Sequence, residues 1–592
     1  MLCLDRLLST VEKPARYVGG EYNSIVKPEA DVRFALCFPD VYEIGMSHVG
    51  SRILYHILNE AEGVACERVF APWPDMEQAL TDVGMPLFSL ETMRPLMQFD
   101  IVGFSLLYEM GYTEVLAMLA LSGIPLRADK RGAGMPLVIA GGPCCCNPEP
   151  VAPFFDAILI GDGEELAVEV TEAVRIAKRE GMSRETLLNT LKGMRGVYVP
   201  SLCGEGETVV RRIVNDLDAT PYSGKPIVPY MGIVHDRVAI EVMRGCTRGC
   251  RFCQAGYIYR PVRERKEQTV MELARGQIAC TGYDEVSLLS LSTGDYSEVH
   301  ALVPSIIREM EANRVSVSLP SLRVDSVLAE DLTVMQSVRK AGLTFAPEAG
   351  TQRLRDVINK NVTEDDILRA VTDAFEAGWS SVKLYFMMGL PTETDEDIAG
   401  IAQLSRKVSE AFYRMPKEKR GKGLRLHVSV STFVPKPFTA FQWCAQDSLE
   451  EIRRKQQLLR AEMKGVRGVE LSCHLSSLPV LEAAFSRGDG RLSDVLERAA
   501  EYGCRFDSWS EQFKPEAWAR AFADFGLTAE DFARRTFALD EPLPWEHVDM
   551  LVTQDYLRRE YERAFAGTTT EDCRQHCNGC FGAKHANDCR LS

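Results

Sequence analysis

Short apolar runs alternate with stretches of helical periodicity through the first third of the chain. Residues 33–40 (RFALCFPD), 99–106 (FDIVGFSL), 135–142 (MPLVIAGG) and 155–165 (FDAILIGDGEE) are apolar runs that lead into Gly, Ser or Asp. Between them, residues 48–61 (HVGSRILYHILNEA) space their apolar positions as a helix does. Strand–helix alternation predicts an α/β fold, here a doubly wound parallel sheet over residues 1–214, with ligand loops at the carboxyl ends of the strands. Residues 215–236 carry Pro221, Pro226 and Pro229 with little periodicity and read as a linker. A second series follows, with strand-like runs at 237–245, 285–292, 314–321, 343–348, 381–389 and 424–433 and helical patterns such as 365–378 between them. Six such units over 237–462 predict a partial (β/α) barrel with its site at the C-terminal strand ends. Residues 463–592 are helix-rich, contain Trp509, Trp518 and Trp545, and end in a Cys-dense tail.

Composition narrows the function classes. Of 592 residues, 46% are hydrophobic and 26% charged, as in a globular protein, and the net charge of −16 argues against holding nucleic acid by bulk charge. The longest apolar stretch, near residues 115–126, is too short to cross a membrane. The opening MLCLDRLLST lacks an export pattern, so a cytoplasmic location is expected. In that setting the 18 cysteines are not a disulfide framework. Cys3, Cys37, Cys66, Cys203, Cys280, Cys444, Cys473 and Cys504 are scattered, as small buried hydrophobes are. The others fall into groups.

The strongest group is Cys246-x3-Cys250-x2-Cys253 in MRGCTRGCRFCQAGYIYR, directly after the first barrel strand. Three thiolates on one loop hold three irons of a [4Fe–4S] cluster and leave the fourth open. An open position is the mark of a catalytic metal site. No nearby Cys or His completes a zinc set. Gly245 and Gly249 let the loop curl, and Arg244, Arg248 and Arg251 place positive charge around an anionic cluster.

With Phe252 before its last cysteine, this motif at the head of a six-unit barrel resembles the radical S-adenosylmethionine (radical SAM) superfamily. The resemblance implies a cluster whose open iron binds the amino and carboxylate groups of S-adenosylmethionine. Reductive cleavage would yield methionine and a 5′-deoxyadenosyl radical that abstracts hydrogen from a substrate. It also implies that Ser292, Thr293, Gly294 and Asp295 serve the methionine ammonium in place of the usual Gly/Glu-rich turn. Glu348, with Arg353 behind it, would meet a ribose hydroxyl, and Gly389 and Pro391, with residues 433–441 (FVPKPFTAF), would lie near adenine. Across the chain, LRVDS, FAPEAGTQRLR, KLYFMMGLPTETDED, FVPKPFTAFQW, RGDGRL, FDSWSEQF and LPWEHVD resemble a bacterial subgroup of that superfamily with a cobalamin-binding-like N-terminal domain.

Such domains carry Asp-x-His-x-x-Gly after the first strand, with the His on cobalt. Here Asp40, Tyr42 and Gly45 hold the spacing but Tyr replaces His, which implies a lower face that is unligated or holds water. Ser105, Gly141, Gly142, Gly161, Asp162, Gly163 and Glu164 fit a groove for the nucleotide tail. His48 reads as a surface helix histidine. A degenerate domain that keeps its fold without ligand is the alternative.

Three features remain. Cys144, Cys145 and Cys146 are adjacent, so their side chains point apart, and they read as packing beside the cofactor site. Residues 260–266 are basic and suit an anionic substrate or RNA, or else a solvated or cofactor-facing segment. In the tail, Cys573-x3-Cys577-x2-Cys580 repeats the barrel spacing, Cys589 adds a fourth thiolate, and His576 and His585 lie nearby. A closed four-thiolate site suits zinc or a second [4Fe–4S] cluster. The expectation is therefore a radical SAM enzyme, cobalamin-dependent in methyl transfer to a small-molecule or RNA substrate, fed by a flavodoxin- or ferredoxin-type electron donor. The alternatives are a cobalamin-free radical enzyme (hydrogen abstraction, rearrangement or RNA thiolation) and a non-catalytic iron–sulfur sensor.

Overall fold

The computed structural model describes residues 2–312, 314–319, 343–420, 423–473, 477–585 and 588–589. The LRVDS segment at 322–326 and the end of the third barrel run lie outside them. The first unit is a six-stranded sheet of β1 (Val32–Phe38), β2 (Val64–Phe70), β3 (Ile101–Ser105), β4 (Leu137–Gly141), β5 (Ala157–Leu159) and β6 (Val197–Tyr198) in the order β2-β1-β3-β4-β5-β6. All neighbours run parallel except β6, which is antiparallel to β5. The order reverses between β1 and β3, the switch point beside which ligands bind.

These strands read as near-continuous apolar runs because both faces are covered. Phe34, Leu36, Ile101, Ile139 and Leu159 pack on one face against α1 (Val49–Glu60) and α2 (Gly163–Glu180). Ala35, Cys37, Val102, Phe104, Val138 and Ala140 face the other side, where Phe485, Trp518, Phe522 and Trp545 of the C-terminal region join the same core. The helix-rich C-terminal region is thus the second cover of the N-terminal sheet.

The expected linker is wired to both sides. Asn23 donates from Nδ2 to the Pro226 carbonyl at 3.0 Å, and the Tyr222 hydroxyl donates to the Ala239 carbonyl at 2.8 Å.

The second unit carries two parallel sheets. One pairs β7 (Val238–Glu241), β8 (Glu285–Leu289) and β9 (Ser316–Ser318); the other pairs β10 (Leu343–Glu348), β11 (Ser381–Met388), β12 (Arg425–Thr432) and β13 (Val469–Cys473). The strand β13 lies beyond residue 462, where the sequence reading ends the barrel, and it pairs in register with β12 through Leu426 and Val469. Helices follow the strands, two of them opened by capping boxes at Thr363 and Thr394. No helix among the described residues is long and apolar enough to cross a membrane.

Leu166 of α2 is fully buried against the N-terminal sheet. Leu166→Ala should lower the stability of the chain by about 2–5 kcal/mol, read as a lower denaturant midpoint. A midpoint equal to that of the parent chain would contradict the packing described.

Candidate functional site

Cys246, Cys250 and Cys253 lie on an excursion from a two-residue hairpin in which Met243–Arg244 pairs antiparallel with Arg263–Glu264. Gly245 opens it at φ +88°, and a Cβ there would come within 2.7 Å of the Tyr259 carbonyl oxygen, so only glycine fits. The thiols of Cys246 and Cys253 are pushed up to about 11 and about 12 by burial. The side chain of Phe252 packs with Ala349, Leu390 and Phe433, residues that follow β10, β11 and β12, so the loop sits at the carboxyl mouth of the strands. Among the described residues no three or more His, Cys, Asp or Glu side chains, those of Cys246, Cys250 and Cys253 included, are drawn together as a metal-ligand set.

The turn after β8 is bound to this loop. Ser292 donates to Asp295 Oδ2 at 2.6 Å, and Arg248 donates to both Asp295 oxygens at 3.0 and 2.6 Å. Thr293 is buried and shares a hydrogen bond with Ser290 at 2.9 Å, and Gly294 completes the turn. Glu348 ends β10 at φ +67° and accepts from Lys360 at 3.2 Å. Gly389 follows β11 at φ +82°; its N–H donates to Glu393, whose carboxyl burial pushes up to about 7 despite Lys455 at 2.9 Å. Pro391 lies in the same turn.

A cavity of about 410 Å³ opens between the two units. Ser105, Gly141, Gly142, Gly161 and Gly163 line it from the N-terminal sheet, with Asp162 and Glu164, and Glu241, Met243, Arg244, Gly245, Tyr259 and Ser290 line it from the barrel. It runs back over Phe34, Leu36, Gly103 and Ile139 of the sheet and past Leu54, Leu58 and Ala167 of the covering helices. Two glycines make the approach possible. A Cβ at Gly142 (φ +119°) would lie 2.4 Å from the Leu106 carbonyl oxygen, and one at Gly161 (φ +108°) 2.2 Å from that of Arg212.

Residues 50–200 match the family model for radical SAM proteins, N-terminal, and residues 240–405 that of the radical SAM superfamily, between them more than half of the chain. The chain belongs to the radical SAM superfamily. An uncharacterized protein of Methanocaldococcus jannaschii, MJ0966, is 29% identical over 78% of this chain and 90% of its own length. A tRNA-2-methylthio-N(6)-dimethylallyladenosine synthase of Carboxydothermus hydrogenoformans is 26% identical over 29% of this chain and 41% of its own. Among solved structures, the radical SAM methyltransferase TsrM of Kitasatospora setae, with cobalamin and a [4Fe–4S] cluster bound, aligns at 15% identity and a TM-score of 0.48 over 67% of this chain and 74% of that one. The cobalamin-dependent enzyme OxsB aligns at 12% identity and 0.48 over 92% and 83%.

The radical SAM domain implies a [4Fe–4S] cluster and S-adenosylmethionine. Three thiols on one shielded loop are a donor set that fits such a cluster.

Several sequence expectations change place in the structure. Asp40, Tyr42 and Gly45 do not line the cavity. Tyr42 turns into the core, where its hydroxyl donates to Glu21 at 2.9 Å and its ring stands edge-on to Phe70. Asp40 accepts from the Trp509 indole at 3.1 Å, its carboxyl raised by burial, and Gly45 packs under Phe70. His48, read as a surface residue, lines the cavity instead and caps α1 by accepting from the Ser51 N–H on Nδ1. Its neutral ring therefore carries the proton on Nε2.

The positive charge expected around the cluster is already spoken for. Arg244 pairs with Glu241, Glu164 and Asp162, Arg248 with Asp295 and Asp572, and Arg251 with Glu560. The basic stretch 260–266 is not a solvated face, because Arg260, Arg263 and Arg265 are buried. Cys144, Cys145 and Cys146 form one buried 3₁₀ turn, and the Gln254 amide next to Cys253 donates to Cys146 Sγ at 3.1 Å and to the Pro437 carbonyl at 3.2 Å.

The tail residues Cys573, Cys580 and Cys589 are partly buried and Cys577 is exposed. His585 is engaged with Asp549 at 3.2 Å and Asp588 at 3.5 Å rather than with the thiols.

Burial lowers the His48 imidazole to about 4, from 6.5 in the unfolded chain. The unfolded chain thus takes up a proton below pH 6.5 that the folded chain refuses until about pH 4. Stability should fall by up to about 1.4 kcal/mol per pH unit across that window. His48→Gln should remove this contribution, seen as a shallower pH dependence of the unfolding midpoint between pH 7 and 4.5. Equal slopes for the two proteins would refute the burial of this ring.

Proposed function

We propose that the chain is a cobalamin-dependent radical SAM methyltransferase acting on a small molecule. The observation that carries this reading is the glycine-floored cavity at the switch point of the N-terminal sheet, open to the barrel loop that bears Cys246, Cys250 and Cys253. Its polar rim and apolar, sheet-lined depth suit a flat ring with a long nucleotide tail. Cys246, Cys250 and Cys253 would hold the catalytic cluster. Ser292, Thr293, Gly294, Asp295, Glu348, Gly389 and Pro391, with Phe252 at their back, would surround S-adenosylmethionine. Together these groups supply a 5′-deoxyadenosyl radical and a transferable methyl group.

The chain's own residues position and shield. Gly142 and Gly161 admit a close backbone approach, Ser105 offers a hydroxyl, and His48 offers an N–H and not a lone pair to whatever lies over it. Arg248 fixes the Ser292–Asp295 turn against the cluster loop, so a methionine ammonium there would share Asp295 with a guanidinium. RNA is the weaker substrate reading, because the basic stretch is buried and the chain carries −16. The methylthiotransferase reading is weaker too, because Cys144, Cys145 and Cys146 share a single turn. A flavodoxin- or ferredoxin-type protein in the cytoplasm would supply the electron. The tail cysteines add a second thiolate centre.

Cys250→Ala should release no 5′-deoxyadenosine from S-adenosylmethionine under anaerobic reduction, where the parent chain does. Release by the variant at the parent rate would remove the cluster assignment.

A Cβ at Gly141 meets only ordinary contacts with Leu159, so Gly141→Leu obstructs the cavity without straining the backbone. The parent chain should bind about one hydroxocobalamin, seen in its visible spectrum, and Gly141→Leu should bind at least tenfold more weakly. The Co(II) form should show no nitrogen splitting from a protein ligand in electron paramagnetic resonance. No binding by the parent, or clear protein nitrogen splitting, would overturn the site as drawn.

A further inference from the structure

One buried cation near the catalytic loop has no carboxylate. Arg260 is 4% exposed, and its guanidinium lies over the rings of Tyr257 and Tyr556, 5.0 and 5.5 Å from their centres. Its N–H groups donate to the carbonyls of Gly256 at 2.9 Å and Arg248 at 3.3 Å and to the Tyr556 hydroxyl at 3.4 Å. Among the described residues no Asp or Glu lies within ion-pair distance of it, whereas Arg248, Arg251 and Arg263 each have one. A guanidinium this deep is costly without a counter-charge.

The groups of opposite latent charge around it are the phenols of Tyr556 and Tyr257 and the thiols of the two cysteine segments. Arg260 is within electrostatic reach of Cys580 and Cys573 on one side and of Cys246 on the other. Cys573 is in turn within reach of Cys580 and Cys589, as Cys253 is of Cys250 and Cys246. The two cysteine segments are joined directly. The Cys573 N–H donates to the Thr247 carbonyl at 3.2 Å, Thr247 donates from Oγ1 to Asp572 at 2.8 Å, and Arg248 pairs with Asp572 at 3.0 Å. The tail turns through Gly579 (φ +64°) and Gly582 (φ +59°), which bring Cys580 back over the helix 554–565.

We propose that Cys573, Cys577, Cys580 and Cys589 hold a second [4Fe–4S] cluster, closed by four thiolates, and that Arg260 is the cation it shares with the catalytic loop. The interval of its first three cysteines repeats that of the barrel loop, whose three thiolates would hold three irons of a cluster; the fourth would close the tail site. This rests on the reading above only for the second partner of Arg260. With the cluster in place the buried guanidinium gains its counter-charge, and the tail gains the cross-link that its small apolar content does not supply.

The full chain, reconstituted and purified without oxygen, should carry about eight irons and no zinc, four irons to each cluster. Cys577→Ser/Cys580→Ser should keep about four irons and lose one of two reduced-cluster resonances; Cys250→Ala should keep about four and lose the other. Arg260→Gln should keep its iron and move both reduction potentials to more negative values, and Arg260→Lys should restore them. Four irons with one zinc, or four irons untouched by the tail substitutions, overturns the second cluster. Potentials unmoved in Arg260→Gln overturn the shared cation. Should the tail double variant fail to fold, the metal count of the parent chain decides alone. Eight irons retained in Cys250→Ala would count against the barrel assignment and leave the tail site standing.

Discussion

A buried carboxylate, Asp162, joins the two α/β units, with Glu164 beside it on the same arginine. Asp162, at the carboxyl end of β5, accepts from the Val214 N–H at 2.9 Å and is held by Arg244 at 3.2 Å and by Arg263. Burial alone would raise its pKa; Arg244 and Arg263 outweigh burial and keep it well below the usual carboxylate range. These two arginines are directly opposite each other in the neck of the cluster loop, so they repel unless an anion lies between them. The N-terminal sheet therefore supplies the charge that lets the barrel hairpin close. Gly161 and Gly163 flank that carboxylate and Gly245 follows Arg244. The floor of the cavity and the root of the catalytic loop are consequently one mechanical piece.

A second node ties in the C-terminal region. Lys436, in the turn after β12, donates to Glu109 and to Ser486 at 2.7 Å each and pairs with Glu482 at 2.9 Å. Glu109 follows β3, and Glu482 and Ser486 belong to the helix Leu478–Arg487. All three regions meet at this ammonium, one residue before Pro437, whose carbonyl accepts from Gln254. Removing either carboxylate would leave a buried charge short of a partner, which is why such nodes resist piecemeal change.

Much of the fold was legible because buried parallel strands are continuous apolar runs that end in small or polar residues. The strand β2 escaped because VACERVF carries Glu67 and Arg68 at its centre. Both are buried, with Arg68 on Glu21 and Glu91 and Glu67 on Arg33, partners that no local pattern reveals. The strand β13 escaped because VELSC alternates and lies beyond the sixth unit. At the site, spacing marked the cysteine loop and the glycines that line the cavity, because a small residue or a repeated cysteine shows in the sequence even where the contact it serves, such as Gly161 with Arg212, is remote. It put Tyr42 on a ligand loop, whereas Glu21 and Phe70, on separate elements, turn that ring into the core, and it read His48 as a surface residue, whereas the structure places it in the cavity lining. It placed the charges of Arg244, Arg248 and Arg251 around the cluster without their carboxylate partners. Their carboxylates lie between 3 and 324 residues away, and Arg260 stands out only once those pairings are known.

The cover over the catalytic loop comes from the far end of the chain. Thr247 bonds to Asp572 and Cys573, Arg251 to Glu560 and Thr568, and Asn359, which braces Gly249, to Thr570. The loop that bears Cys246, Cys250 and Cys253 therefore owes its cover to the helix 554–565 and the segment that follows it. A substitution at Glu560, Thr570 or Asp572 acts on the reactive chamber through this cover, without touching a cysteine of the loop.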